Sequence, residues 1–334
     1  MLPSGWVAGV PDERDAARLT GLLRRHEERA RGWASTAEED VLLEVAGHAR
    51  RIRDNTVVQD SDGVLRGWAG THDRAAGRLL LRVLVDWEVE APVADAVAGA
   101  LFAWGDQVAQ RVGAARGLDV QQVDSGAFAG DDRQRRWLTA AGFTKARTWW
   151  QMSRPVTADE AALDPATAEG LRIRRVRRDG TGMPDEDDLR TVHDVLEGAF
   201  ADHFNSHQET FDEFVSRLRD DPGHRWDHWW VAELDGAAVA ALVGSVSTGT
   251  DGSPDGCPDG SYVEYLGVLP SARGRRVAKS MLRTVIADAA ASGRDRVDLE
   301  VDADSPTGAH GLYVSMGWAT KYVTESWHRT LPIG

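Results

Sequence analysis

The 334-residue chain repeats itself once, and this repeat limits what it can fold into more than any other feature. Pro11-Asp12-Glu13 returns as Pro184-Asp185-Glu186. Asp62-Gly63, between the apolar runs Thr56-Val57-Val58 and Val64 to Ala69, returns as Asp235-Gly236 between Trp229-Trp230-Val231-Ala232 and Ala237 to Val243. Trp137-Leu138-Thr139-Ala140-Ala141-Gly142-Phe143 returns as Leu312-Tyr313-Val314-Ser315-Met316-Gly317-Trp318. The three matches keep their order and a nearly constant offset, so the chain reads as two copies of one fold. Each Asp-Gly pair predicts a hairpin turn. Each copy then reads as strand, helical region, hairpin, strand, long helix, strand, short helix, strand. The expected organisation is a first domain over 1–156, a linker over 157–170 where Ala, Asp, Glu and Thr replace apolar periodicity, and a second domain over 171–334. Ser247 to Gly260, rich in Gly, Asp, Ser and Pro, predicts a loop between two strands.

Composition narrows the class. Hydrophobic residues make 42% of the chain and charged residues 28%, and no uninterrupted apolar stretch approaches the roughly 20 residues a membrane helix needs. The N-terminal Met1 to Trp6 has no basic segment followed by an apolar run, and the lone Cys257 has no intrachain disulfide partner. A cytoplasmic protein is therefore expected. Lys and Arg number 39 against 53 Asp and Glu, net −14, which argues against nucleic acid or an anionic membrane as a partner. A polyanionic ligand would need a local basic patch. Nothing in the sequence indicates an oligomer.

Such a patch follows the strand-like run Tyr262-Val263-Glu264-Tyr265-Leu266-Gly267-Val268. After Leu269-Pro270 come Arg273, Arg275, Arg276, Lys279 and Arg283 with no acid among them. From Ala278 the apolar residues Met281, Leu282, Val285, Ile286 and Ala289 recur at helical spacing. A strand, a basic turn containing Gly274, and a helix N-terminus aim backbone N–H groups and a positive dipole end at one point, as a phosphate requires. A solvated basic helix start is the plainer alternative. The chain has neither a glycine-rich Gly-Lys-Ser/Thr loop nor a Gly-x-Gly-x-x-Gly turn with a later acid, so a P-loop and a dinucleotide fold are not supported.

The run Leu266 to Ala278 resembles the acetyl-CoA-binding motif of the GCN5-related N-acetyltransferase (GNAT) superfamily, Gln/Arg-x-x-Gly-x-Gly/Ala. Arg273 takes its first position, Ala278 its last, and Arg276 stands where the family has its middle glycine. Downstream, Val297 to Val301 predicts another strand, and Ser305 to Gly317 predicts a helix with Pro306 at its first position. That segment resembles the family's Asn-x-x-Ala-x-x-x-Tyr-x-x-x-Gly-Phe through Ala309, Tyr313 and Gly317, with Ser305 in place of asparagine and Trp318 in place of Phe. The resemblance covers roughly residues 171 to 331 well and the first copy weakly. It implies an α/β chain of two tandem GNAT-like domains, each a mixed, mostly antiparallel sheet flanked by helices.

It also implies chemistry: acetyl-CoA as co-substrate, no metal, and an acetyl group passed to a primary amine of a small molecule by direct attack. Leu266, Gly267 and Val268 would supply a main-chain N–H to the thioester carbonyl, freed by a bulge that splays the strand. Arg273, Gly274, Arg275, Arg276, Val277, Ala278 and Lys279 would hold the pyrophosphate, and Ser305 the cofactor arm. Tyr313 falls at the family's general-acid position, and packing alone is its other reading. Glu264 alternates with Leu266 and Val268, so the three share a strand face, and it is the candidate base. A salt bridge or a water chain is its alternative. The helical region Leu189 to Phe214 would build the acceptor side, with His203, Phe204 and His207 as lining residues. His203 and His207 sit four apart, yet no adjacent cysteine or third ligand completes a metal site.

The first copy lacks this equipment. Leu79 to Val85 matches the strand ending at Val268, but Asp86-Trp87-Glu88-Val89-Glu90 follows it, and Leu138 stands at the tyrosine position. Three acids would repel a pyrophosphate, so the first domain reads as a structural copy. A non-catalytic acyl-CoA-binding or sensory module is the competing reading for the whole chain.

Overall fold

The structure, a computed structural model, describes residues 2–46, 52–74, 77–165, 169–180, 182–201, 210–219, 226–247, 259–305 and 308–334. The first copy contains β1 (Val7–Gly9), α1 (Ala16–Arg31), α2 (Glu38–Val45), β2 (Arg53–Gln59), β3 (Leu65–Arg74), β4 (Arg78–Val85), α3 (Ala91–Ala115), β5 (Val120–Phe128), α4 (Asp132–Ala140) and β6 (Thr144–Pro155). The second contains β7 (Leu171–Arg175), α5 (Glu186–Phe200), α6 (Phe211–Arg219), β8 (Trp229–Leu234), β9 (Ala237–Ser247), β10 (Gly260–Val268), α7 (Val277–Ala291), β11 (Arg296–Asp302), α8 (Ala309–Ser315) and β12 (Ala319–Pro332). The two successions of elements are the same. The fold is mixed α/β with mostly antiparallel pairing.

The chain forms two compact units. One comprises Met1–Trp150, Asp302–Asp304 and Tyr322–Gly334; the other comprises Gln151–Val301 and Ser305–Lys321. In the first, β1 to β5 pair in order, and β5 is flanked by β12 in a register running from Thr324↔Phe128 to Pro332↔Val120. In the second, β7 to β11 pair in order, and Val156 N–H donates to the Asp295 carbonyl at 2.7 Å. Each unit thus takes its closing strand from the end of the other copy.

Both Asp-Gly turns close hairpins, β2 with β3 and β8 with β9. At the second, Asp235 and Gly236 both have positive φ, 52° and 85°, the left-handed pair that matches strand twist. Trp229 and Trp230 are buried in β8, so the Trp-rich run is core strand. The apolar stripe of α7 is buried throughout, and Met281 and Leu282 each contribute roughly 1.5–3 kcal/mol on burial. On α5 the stripe Leu189, Val192, Val195, Leu196 and Ala199 does the same, and Glu186, Asp187 and Asp188 in its first turn suit the positive dipole end. The expected linker carries a short 3-10 turn, Ala158–Ala162, which packs against α7.

Candidate active site

The site grows from the end of β10. On one side β10 pairs with β9 from Gly260↔Ser247 to Val268↔Ala240, with one register slip between Val263 and Tyr265. On the other, the parallel ladder with β11 runs from Ser261↔Val297 to Val263↔Leu299 and stops, although β11 continues to Asp302. The two strands therefore part beyond Val263. The expected bulge exists, but it falls at Glu264, upstream of Leu266, so strict alternation no longer fixes the side to which Glu264 points.

The ladder shows which groups this exposes. Leu269 N–H donates to the Val239 carbonyl of β9 at 2.9 Å. Antiparallel alternation then sends the N–H groups of Gly267 and Tyr265 toward β9, and those of Leu266 and Val268 toward the side that β11 has left. Gly267 is required here by space. A Cβ on it would lie 2.9 Å from Leu196 Cδ2 and 3.0 Å from Ala199 Cβ, so α5 sits directly against the strand.

β10 runs into a 3-10 turn, Pro270–Ala272, then Arg273, Gly274 at φ 78°, Arg275 and Arg276 at φ 62°, and α7. No side chain caps α7, so its first N–H groups keep no intrahelical acceptor. Arg273, Gly274, Arg275, Arg276 and Lys279 are exposed, Ala278 is half-buried, and Val277 is buried as the first core residue of the helix. Arg276 adopts the left-handed conformation that the family's glycine would favour. Arg275 lies 3.8 Å from Asp235, both well exposed. Arg273 Nη2 donates to the Ala199 carbonyl at 3.1 Å. Sequence reasoning missed this last contact because its acceptor is a backbone oxygen, which carries no residue signal.

Because β10 and β11 run parallel, the basic turn and the connection to α8 leave from the same edge of the sheet. α8 begins at Ala309, after Gly308 at φ 65°, which corrects the expected start at Pro306. Pro306 itself lies outside the described residues. The helix ends as expected: Gly317 has φ 96°, and Met316 and Trp318 N–H groups return to the Tyr313 carbonyl at 3.0 and 3.1 Å. The Tyr313 ring is half-buried and meets Trp318 edge-on at 6.0 Å. Trp318 is fixed by Nε1–H donation to the Val297 carbonyl at 2.9 Å. Burial pushes the Tyr313 phenol up to about 12. Ser305 is half-buried at the end of β11's connection, and Glu264 is half-buried on β10. His203, Phe204 and His207 lie outside the described residues. Among the described residues no group of three or more His, Cys, Asp or Glu gathers to hold a metal, and no helix is long and apolar enough to cross a membrane.

The first unit uses the matching place differently. β4 leaves its parallel partner β5 after Leu80↔Asp124, as β10 leaves β11. Here α4 fills the gap: Arg133 Nη2 donates to the Val85 carbonyl at 2.9 Å, and Gln134 Nε2 to the Val83 carbonyl at 3.3 Å. Arg133 also lies over the Trp87 ring at 3.9 Å. Asp86, at the position after the strand, is buried and pairs with Arg25 at 3.0 Å and Arg66 at 3.2 Å.

The fold is that of solved GNAT structures. The model of the acetyltransferase (GNAT) family matches residues 192–318. A mycothiol acetyltransferase of Frankia casuarinae is 30% identical over 196 residues, 58% of this chain and 54% of the relative. That of Thermobispora bispora is 31% identical over 192 residues, 57% of this chain and 60% of the relative. The chain thus spans little more than half the length of the curated relatives it matches. In fold, a GCN5-related N-acetyltransferase from Sphaerobacter thermophilus superposes with a TM-score of 0.77 at 23% identity, covering 100% of this chain and 98% of that one. A tandem GNAT protein from the clavulanic acid biosynthesis pathway gives a TM-score of 0.66 at 14% identity, covering 98% and 99%.

Proposed function

We propose that the chain is an acetyl-CoA-dependent N-acetyltransferase that acetylates a primary amine of a small molecule, with the second unit active and the first structural. The observation that carries this reading is the continuity of one segment. The open edge at Leu266 and Val268 leads without interruption into the cation-rich turn and the uncapped start of α7. These residues fit a pyrophosphate-bearing thioester: N–H donors and cations where its phosphates need them, and unshared strand donors where its carbonyl would lie.

Bound acetyl-CoA supplies an activated acyl group. Arg275, Arg276 and Lys279, with the first N–H groups of α7, hold its pyrophosphate, while Arg273 keeps the turn against α5. Ser305 offers a hydroxyl to its arm. Leu266 and Val268 present N–H groups at which negative charge on a carbonyl oxygen is stabilised. Glu264 takes a proton from the amine as the N–C bond forms. Tyr313 gives one to the sulfur as the C–S bond breaks. With its phenol pushed up to about 12, Tyr313 carries that proton throughout the neutral range. The net charge of −14 favours a cationic amine over an anionic one. The mycothiol acetyltransferases supply the precedent for a small-molecule acceptor.

The first unit's role rests on its own side chains. Arg133 and Gln134 fill the parted strand edge through the carbonyls of Val85 and Val83, and Asp86 sets a buried carboxylate directly after the strand. The test is thiol release from acetyl-CoA over a panel of primary amines. Turnover with one amine, reduced at least tenfold in Tyr313→Phe, is expected. Binding of CoA without turnover on any amine would instead favour an acyl-CoA-binding module.

A further inference from the structure

α8 carries Tyr313, yet none of its residues is fully buried, so core packing of its own side chains does little to hold it. Its C-terminal end is held instead by Arg154 of β6, which belongs to the same compact unit. Arg154 Nε donates to the Met316 carbonyl at 2.7 Å. The guanidinium also lies over the Trp318 ring, 5.8 Å from its centre. Both partners touch Tyr313. The Met316 N–H donates to the Tyr313 carbonyl at 3.0 Å, and the Trp318 N–H does so at 3.1 Å while its ring meets the phenol ring edge-on at 6.0 Å. Between them stands Gly317, where a Cβ would come within 3.4 Å of Arg154 Nε. The guanidinium is thus packed directly against the end of the helix.

Arg154 is itself fixed. Its Nη1 donates to the Pro155 carbonyl at 2.9 Å and to Glu160 Oε2 at 3.0 Å, and its Nη2 pairs with Glu160 Oε1. Glu160 lies in the 3-10 turn Ala158–Ala162, and its carboxylate also accepts from the Thr157 N–H at 3.0 Å. The hydrogen bond from Arg154 holds the Glu160 carboxyl below its ordinary range. With only 17% and 16% of the two side chains exposed, the pair is shielded from water, and its two-pronged geometry fixes the plane of the guanidinium. A lysine could not replace it, because one ammonium cannot reach the helix end and both carboxylate oxygens in that plane. We propose that Arg154, braced by Glu160, is a positioning residue: it fixes the end of α8 and so the ring of Tyr313, from which a proton passes to sulfur as the C–S bond breaks. The catalytic consequence rests on the general-acid reading of Tyr313 given above. The placement of the ring does not, and it can be measured without turnover.

Carbon-13 at the ring Cζ of the 4 tyrosines gives each phenol its own signal in nuclear magnetic resonance, and the signal lost in Tyr313→Phe is that of Tyr313. In the parent this phenol should stay mostly protonated at pH 11, as a value of about 12 requires. In Arg154→Gln it should be mostly ionised at that pH, like a phenol in water with a value of about 10. Glu160→Gln, which leaves Arg154 in place without its counter-charge, should fall between the two. Circular dichroism checks that each protein is folded at pH 11. The Tyr262 and Tyr265 signals, from β10 of the same unit, should keep their parent shifts at neutral pH, which a general loosening of the unit would not allow. Turnover of acetyl-CoA with the fastest amine of the panel reads the consequence. Arg154→Gln should lower kcat about threefold or more while changing the KM for acetyl-CoA less than about twofold. In a Tyr313→Phe background the same substitution should lower kcat no further, because it acts through the phenol. An unchanged Tyr313 signal at pH 11 in Arg154→Gln, or a loss of kcat by the same factor in both backgrounds, overturns the positioning role. Tyr313→Phe turning over like the parent, with the shift in titration intact, would instead overturn the general-acid reading and leave Arg154 as a clamp on the fold alone.

Discussion

The Arg273 guanidinium donates to the Ala199 carbonyl at 3.1 Å, which ties the first cation of the basic turn to the last turn of α5. The same helix end presses on β10 at Gly267, where a Cβ would meet Leu196 and Ala199 at 3.0 Å or less. Strand, turn and α5 are thus one packed unit. Gly267→Val inserts a branched side chain into that contact and should cost about 1–3 kcal/mol, read as a lower midpoint in urea unfolding with unchanged m. An unchanged midpoint would mean that α5 is not held against the strand there.

Arg276 sits at φ 62°, where a side chain strains the backbone and glycine does not. Arg276→Gly should be neutral or stabilising by up to about 1 kcal/mol. Arg276→Val, branched at Cβ, should be destabilising by more than about 1 kcal/mol. The two thermal midpoints, compared with the parent's, check the sign of each.

Burial raises the Tyr313 phenol from 10 to about 12 in the folded chain. The folded state therefore holds this proton more tightly than the unfolded state. The associated stability is intact below pH 10 and is lost as pH rises toward 12. Tyr313→Phe should remove that part of the alkaline loss, seen by urea unfolding at pH 8 and pH 11. An identical fall in both proteins would place the phenol in water.

Asp86 is buried with Arg25 and Arg66 in the first unit, far in sequence from the basic turn. Asp86→Ala should lower stability by about 1–3 kcal/mol, because it leaves two guanidinium groups short of an acceptor. Its affinity for acetyl-CoA should stay within twofold of the parent's. A larger loss of affinity would assign the first unit a part in holding the cofactor.

The repeat made much of this fold legible. The Asp-Gly turns, the stripe of α7 and the glycine closing α8 are local chemistry, and each appears at the residue that encodes it. What sequence could not reveal depends on partners distant in the chain. The slip at Glu264 is set by how β10 meets β9, and no residue type demands it there. The exchange of closing strands is set by which edge meets β5 and β11, and no residue type encodes that choice. Composition cannot choose between the two. The start of α8 was misplaced because Pro306 suits a first helical position, whereas the described helix starts after the left-handed Gly308. The partners of Arg329, namely Asp106 on α3 and Ala141 and Phe143 just after α4, are likewise distant in the chain.

Calorimetric titration of acetyl-CoA, into the parent chain and into Arg275→Ala/Lys279→Ala, is the most direct test of the cofactor turn. One equivalent per chain is expected, with affinity at least tenfold lower in the double variant, a difference of about 1.4 kcal/mol. No binding, two equivalents, or equal affinity in the two proteins would contradict a single cofactor site at the start of α7.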